Sequence, residues 1–288
     1  AGILQSVLGI IDTEHYGYGE LFNEINVHTG GIGTSLELYP DVTKVKEKEF
    51  KATFEIKGKA LYGQIPFAIR MMKEILTASK LDDEKRLKEI LSMTKTRLQD
   101  RFLSAGHSAA ALRAMSYKSP ISKFKDTTNG IEYYQNIREM EEHFDEKKEE
   151  IISGLKALSE LLFRKGNVMI SYTASREGLA VLEEEIGSLK EALYPERTPE
   201  SRCILHCEKK NEGFKTSSKV QFAAKAGNFI DAGEEYNGAL QILKVIMSYE
   251  YLWINIRVKG GAYGCMSNFN RIGEGYFVSY RDPNLGRT

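Results

Sequence analysis

Asn255-Ile256-Arg257-Val258-Lys259-Gly260-Gly261-Ala262-Tyr263-Gly264 marks a change of period in the chain. Before it, Leu240, Leu243, Ile246, Met247, Glu250, Trp253 and Ile254 fall near one broad face at helical spacing, which predicts a helix over Tyr236 to Arg257. The paired glycines stop that helix. After them, Cys265 to Asn270 and Tyr276 to Tyr280 read as two strands turned at Gly273-Glu274. Val220, Phe222 and Ala224 alternate as a strand in front of the helix, so the last third runs strand, helix, hairpin. Arg257 lies at the helix C-terminus, where the macrodipole favours a cation. Tyr263 lies among glycines, with little neighbouring bulk. Six positions apart across the turn, the pair is placed to address one ligand oxygen; a capped helix with a surface Arg and a core Tyr is the plainer reading.

Working back from this stretch, Pro195-Glu196-Arg197-Thr198-Pro199-Glu200 has two prolines and no period, and reads as a linker. Upstream of it, Leu36 and Leu38, then Phe50, Ala52, Phe54 and Ile56, alternate with polar residues as a hairpin with one wet face. Helices are expected over Tyr18 to Val27, Pro66 to Ser79, and from Asp82 or Asp83 through Leu87, Ile90, Leu91, Thr94, Leu98 and Phe102. Ala105 to Met115 is small and alanine-rich, and Pro120 to Gly130 reads as a polar connection. Helix resumes from Ile131 to Phe163 with one break near Asp145. Val168-Met169-Ile170-Ser171-Tyr172 reads as a strand and Glu177 to Leu193 as a helix. The expected class is α+β: two related layered domains, residues 1–197 and 198–288, with antiparallel sheets covered by helices and the second domain truncated.

The chain carries 40 Lys+Arg against 40 Asp+Glu, a formal net charge of zero, so no basic excess points to nucleic acid. No apolar run reaches the ~18 residues of a membrane span, and no membrane partner is expected. Three cysteines make no disulfide framework, which fits a reducing compartment, the cytoplasm or alternatively a mitochondrial or plastid matrix. Ala1-Gly2-Ile3-Leu4-Gln5-Ser6-Val7-Leu8 reads as the inside of an amphipathic helix, and both ends of the chain are expected to be cut. None of the five histidines has a His partner one helical turn away. Cys203-Ile204-Leu205-His206-Cys207 is read as incidental thiols rather than a metal site, and Gly30-Gly31-Ile32-Gly33 as a structural turn rather than a phosphate loop.

Arg257 to Gly264, followed by Phe277-Val278-Ser279-Tyr280-Arg281-Asp282-Pro283-Asn284, resembles the C-terminal half of insulinase (pitrilysin-type) zinc metallopeptidases, in the presequence protease and falcilysin branch. Tyr18-x-x-Leu21 leading into His28-Thr29-Gly30-Gly31-Ile32, and Asn211-Glu212-Gly213-Phe214 leading into Val220-Gln221-Phe222 and Gly227-Asn228-Phe229, match in the same order. The resemblance implies two halves enclosing a chamber, with zinc in the full-length parent held by the missing N-terminal half and none in this piece. It implies that Arg257, with Gly260 and Gly261, holds the backbone of a peptide substrate, and that Tyr263 donates to the tetrahedral oxyanion. The partners it implies are the peptide and the N-terminal half of the same polypeptide. The competing readings are a non-catalytic scaffold subunit on the same fold and a helical protein-interaction module.

Overall fold

The computed structural model describes residues 1–196, 198 and 205–288. Its elements are α1 (Gly2–Val7), α2 (Tyr18–His28), β1 (Ile32–Pro40), β2 (Phe50–Gly58), α3 (Ile65–Thr77), α4 (Glu84–Ser116), α5 (Pro120–Asn129), α6 (Ile131–Glu142), α7 (Phe144–Leu162), α8 (Arg176–Ala192), β3 (Ala224–Asn228), α9 (Ala239–Ile246), a π-helix (Met247–Val258), β4 (Gly264–Phe269) and β5 (Glu274–Tyr280). This is a mixed helix and antiparallel-sheet architecture, the α+β class that the alternation of periods predicts.

Two compact units emerge, each assembled from separate stretches: residues 1–37, 53–94 and 138–202 in the first, and 38–52, 95–137 and 203–288 in the second. The linker stretch around Pro199 and the residues Cys203 and Ile204 lie outside the described residues.

In the first unit the core forms where α3 meets α8. Ile65, Ile69 and Leu189 are buried there, with Met72, Leu76, Val181, Leu182 and Ile186 around them. Pro66 occupies the first turn of α3, where a missing N–H costs nothing. Asp83 begins α4, its Oδ1 accepting the Arg86 N–H at 2.9 Å. Leu87, Ile90, Leu91 and Thr94 on that helix are all buried, as their spacing predicts.

The second unit is built on a three-stranded antiparallel sheet in the order β3-β5-β4. Val278 at its centre pairs with Ala224 on one side and Met266 on the other. Gly273 takes φ +86° at the hairpin turn, which only glycine adopts freely. The π-helix and α9 lie against β4.

Three local expectations need correction. Pro120 to Gly130 is helical, not a connection: Pro120 opens α5, but Ser122 and Asp126 on its inner face are buried through hydrogen bonds rather than apolar contact. The residues at Val168 to Tyr172 form no strand, and Met169 is 79% exposed, because no neighbouring strand offers a ladder. The strand expected from Val220 begins at Ala224, preceded by an isolated pairing of Gln221 with Asp282.

Candidate functional site

The turn after the π-helix is closed by three backbone bonds. Lys259 N–H returns to Ile254 O at 3.0 Å, Gly261 N–H to Arg257 O at 2.9 Å, and Ala262 N–H to Ile256 O at 3.1 Å. Gly261 takes φ +80°, a left-handed cap. Gly260 is required for a different reason: a Cβ there would lie 2.5 Å from Ile256 O and 3.1 Å from Asn255 O. Both are backbone atoms and give way only if the turn opens. Gly260→Ala is therefore expected to destabilise by about 1–3 kcal/mol, read as a lowered urea midpoint at unchanged m-value. An unchanged midpoint would show that the turn is not so tight.

Ala262 is buried and Tyr263 leaves the turn outward, 64% exposed. The Tyr263 N–H is shared between Tyr280 O at 3.0 Å and Arg281 O at 3.2 Å, which ties it to the end of β5. From the far side, Asn284 Nδ2 donates to Gly260 O at 2.6 Å.

Arg257 reaches across the same turn. Its Nη1 donates to the Tyr263 carbonyl oxygen. The guanidinium carbon lies 4.2 Å from the Trp253 ring centroid and 5.3 Å from that of Tyr263, so the cation sits near two π-faces. The structure thus brings Arg257 and Tyr263 together, on a turn made by Gly260 and Gly261. Among the described residues the Tyr263 hydroxyl has no hydrogen-bond partner and Arg257 no carboxylate. One phenolic donor and several guanidinium donors are left for an incoming acceptor. Periodicity places Trp253 only on a helix face; its position four residues before Arg257 is the signal that links the two. Tyr280, whose ring centroid is 6.0 Å from that of Tyr263, is found only through the strand register.

Among the described residues no three His, Cys, Asp or Glu side chains group to hold a metal ion, so the donors present do not fit a zinc centre. His15 Nδ1 faces the Glu74 carboxylate at 3.0 Å, His28 Nε2 lies 3.7 Å from Glu24, and His143 Nδ1 lies 3.7 Å from Glu146. Burial pushes the His107 imidazole down from its ordinary value. Cys207 and Cys265 are free thiols, both pushed up by burial. The Gly30-Gly31 stretch is a turn into β1, with Gly31 at φ +110° and its carbonyl accepting the Lys59 N–H at 3.1 Å.

A second cluster gathers around Arg113 in the alanine-rich half of α4. Its Nη1 donates to Asp126 Oδ2 at 2.6 Å and to Glu132 Oε2 at 3.2 Å, while Nε and Nη2 take Glu212 at 2.8 and 3.2 Å. Tyr117 O–H also donates to Glu212. Burial, together with that bond, pushes the Tyr117 phenol up to about 12. The Phe214 ring centroid lies 5.9 Å from the guanidinium carbon. Asn211 to Phe214 is otherwise irregular chain, and this cluster is what fastens it.

A family model described as the region associated with peptidases of the M16 family, subfamily C, matches residues 1–140, and one described as "PreP C-terminal domain" matches residues 211–288. Protein HypA of Clostridium perfringens is 36% identical over 287 residues, covering 100% of this chain and 29% of that protein. Presequence protease 1, chloroplastic/mitochondrial, of Arabidopsis thaliana is 27% identical over 284 residues, covering 96% of this chain and 26% of its own length. A crystal structure of pitrilysin aligns over 96% of this chain and 28% of its own, with a TM-score of 0.47 and 11% identity. The chain thus spans 29% and 26% of the two curated relatives. Among the described residues no helix is long and apolar enough to cross a membrane.

Proposed function

Because this chain belongs to the presequence-protease branch of the insulinase-type peptidases, we propose that it is the part of a zinc metalloendopeptidase that holds the substrate and stabilises the oxyanion, the metal being bound elsewhere in the longer polypeptide. One observation carries the reading: Arg257 and Tyr263 stand side by side on one glycine turn with donors free. In peptide hydrolysis the scissile carbonyl oxygen gains negative charge as the carbon becomes tetrahedral. The Tyr263 O–H donates to that oxygen, and its bond strengthens as the charge grows. Arg257 holds a neighbouring backbone carbonyl of the peptide, its fork fixed by Trp253 and by the Tyr263 carbonyl. Gly260 and Gly261 present bare backbone, which lets an extended peptide approach closely.

The substrates of this reading are unfolded peptides enclosed in a chamber, whose other wall is the N-terminal half of the same polypeptide. The division at 197/198 is proposed as a boundary of descent between a third-domain-like and a fourth-domain-like α+β unit. A reducing compartment suits the free thiols: the cytoplasm, or the mitochondrial or plastid matrix that the names of several relatives print.

The test compares the full-length polypeptide with this 288-residue chain. The former is expected to cleave unstructured peptides in a zinc-dependent reaction, and the latter to cleave none. Zinc-dependent turnover by the isolated chain would overturn the division of labour. A zinc-loaded full-length protein without turnover would favour the scaffold reading.

A further inference from the structure

Arg281 follows β5 with φ +50°, one of only two non-glycine residues with positive φ among those described. A left-handed conformation at an Arg is uncommon, and glycine or asparagine would adopt it at lower cost. Held strain of this kind clusters where the side chain has work to do.

The surroundings say what that work is. The Arg281 guanidinium carbon lies 5.4 Å from the Tyr280 ring centroid, the Tyr280 and Tyr263 centroids are 6.0 Å apart, and the Arg257 guanidinium carbon is 5.3 Å from Tyr263. Two guanidinium groups therefore flank a pair of tyrosine rings. These separations put them no farther apart than about five residues of extended peptide can reach. Arg281 is exposed, and among the described residues it meets no carboxylate. The backbone on either side of it is fixed. Tyr280 O and Arg281 O both accept the Tyr263 N–H, and the Asp282 N–H bonds Gln221 O at 2.8 Å. Asp282 is itself fully buried. A cation on a rigid stalk beside the oxyanion donor, with no internal counter-ion, is a receptor for an external anion.

We propose that Arg281 is a second substrate-binding guanidinium that takes a carboxylate of the bound peptide, an Asp or Glu side chain, a few residues from the bond held at Tyr263. The proposal rests on the peptidase reading above for its substrate, but its test does not depend on turnover. Charge-assisted bonds of this kind change affinity by roughly tenfold.

The experiment uses the full-length polypeptide and two fluorescently labelled peptides that differ by a single Glu→Gln exchange. Affinity is read by anisotropy, and kcat and KM are read in parallel. Arg281→Gly is the decisive variant, because glycine keeps the left-handed backbone and removes only the side chain. It is expected to weaken binding of the Glu peptide roughly tenfold and to leave the Gln peptide within twofold, with kcat retained and the melting temperature unchanged or raised. Equal weakening of both peptides, or of neither, overturns the assignment. If selective weakening appears in the binding data while no peptide is cleaved, Arg281 stands as a peptide-carboxylate receptor and the peptidase reading fails. If Tyr263→Phe lowers turnover while Arg281→Gly changes nothing, the peptidase reading stands and Arg281 is excluded.

Discussion

Tyr263→Phe in the full-length polypeptide is expected to lower kcat by about 10²–10³, with zinc content unchanged and KM nearly so. The substitution removes one O–H and keeps the ring. The ring's neighbours are the Arg257 guanidinium, 5.3 Å away, and the Tyr280 ring, 6.0 Å away, and neither contact involves the hydroxyl. With Tyr263 64% exposed, stability should move by no more than about 0.5 kcal/mol. A loss shared equally by kcat and kcat/KM marks a bond made only in the transition state, whereas a loss confined to KM would mark simple peptide binding. An unaltered kcat removes Tyr263 from the chemistry and leaves the glycine turn as a helix cap.

The residues that make this prediction possible were legible in sequence because local rules govern them. A Gly-Gly stop, a cation in the last turn and a phenol before a period-two stretch each follow from backbone sterics and short-range electrostatics. Hairpin β4–β5 appears where alternation and Gly273-Glu274 place it. Illegible features depend on partners far along the chain. The expected single helix from Tyr236 to Arg257 is α9 followed by a π-helix, whose i→i+5 bonds shift side chains away from a 3.6-residue period. That shift leaves Tyr249 and Val258 exposed at 69% and 64%, though both flank the apolar positions. Helix α5 was hidden because its inner face is polar, and its Asp126 makes sense only beside Arg113, 13 positions away. The strained backbone of Arg281 has no sequence signal, since nothing in Tyr-Arg-Asp-Pro demands a left-handed Arg.

Arg113→Met is expected to destabilise the second unit by about 3–5 kcal/mol, because it strands a charge that water cannot reach. The Arg113 and Asp126 side chains are 12% and 0% exposed. In the intact cluster burial pushes the Asp126 carboxyl up, against the pull of Arg113 and of the Ile131 N–H. Arg113 itself is held in its charged form by Glu212 and Asp126 in spite of burial. Glu212 is held below its ordinary value by Arg113. A depressed carboxylate contributes stability that is present above its unfolded value, near ~4.3, and lost as pH falls through the folded one. The intact protein therefore loses this contribution on acidification. With Met at 113 the sign reverses at Asp126: its folded value lies above the unfolded ~3.9, so the penalty is full at neutral pH and disappears as protonation neutralises the group. The difference in urea midpoint between the two proteins should thus be largest at pH 7 and shrink towards pH 4. Adding Asp126→Asn to Arg113→Met should recover part of the loss at pH 7, since an amide needs no counter-ion. A deficit that is constant across this range would mean that Arg113 stabilises by packing alone, including its contact with Phe214, and that the buried carboxylate is solvated by other means.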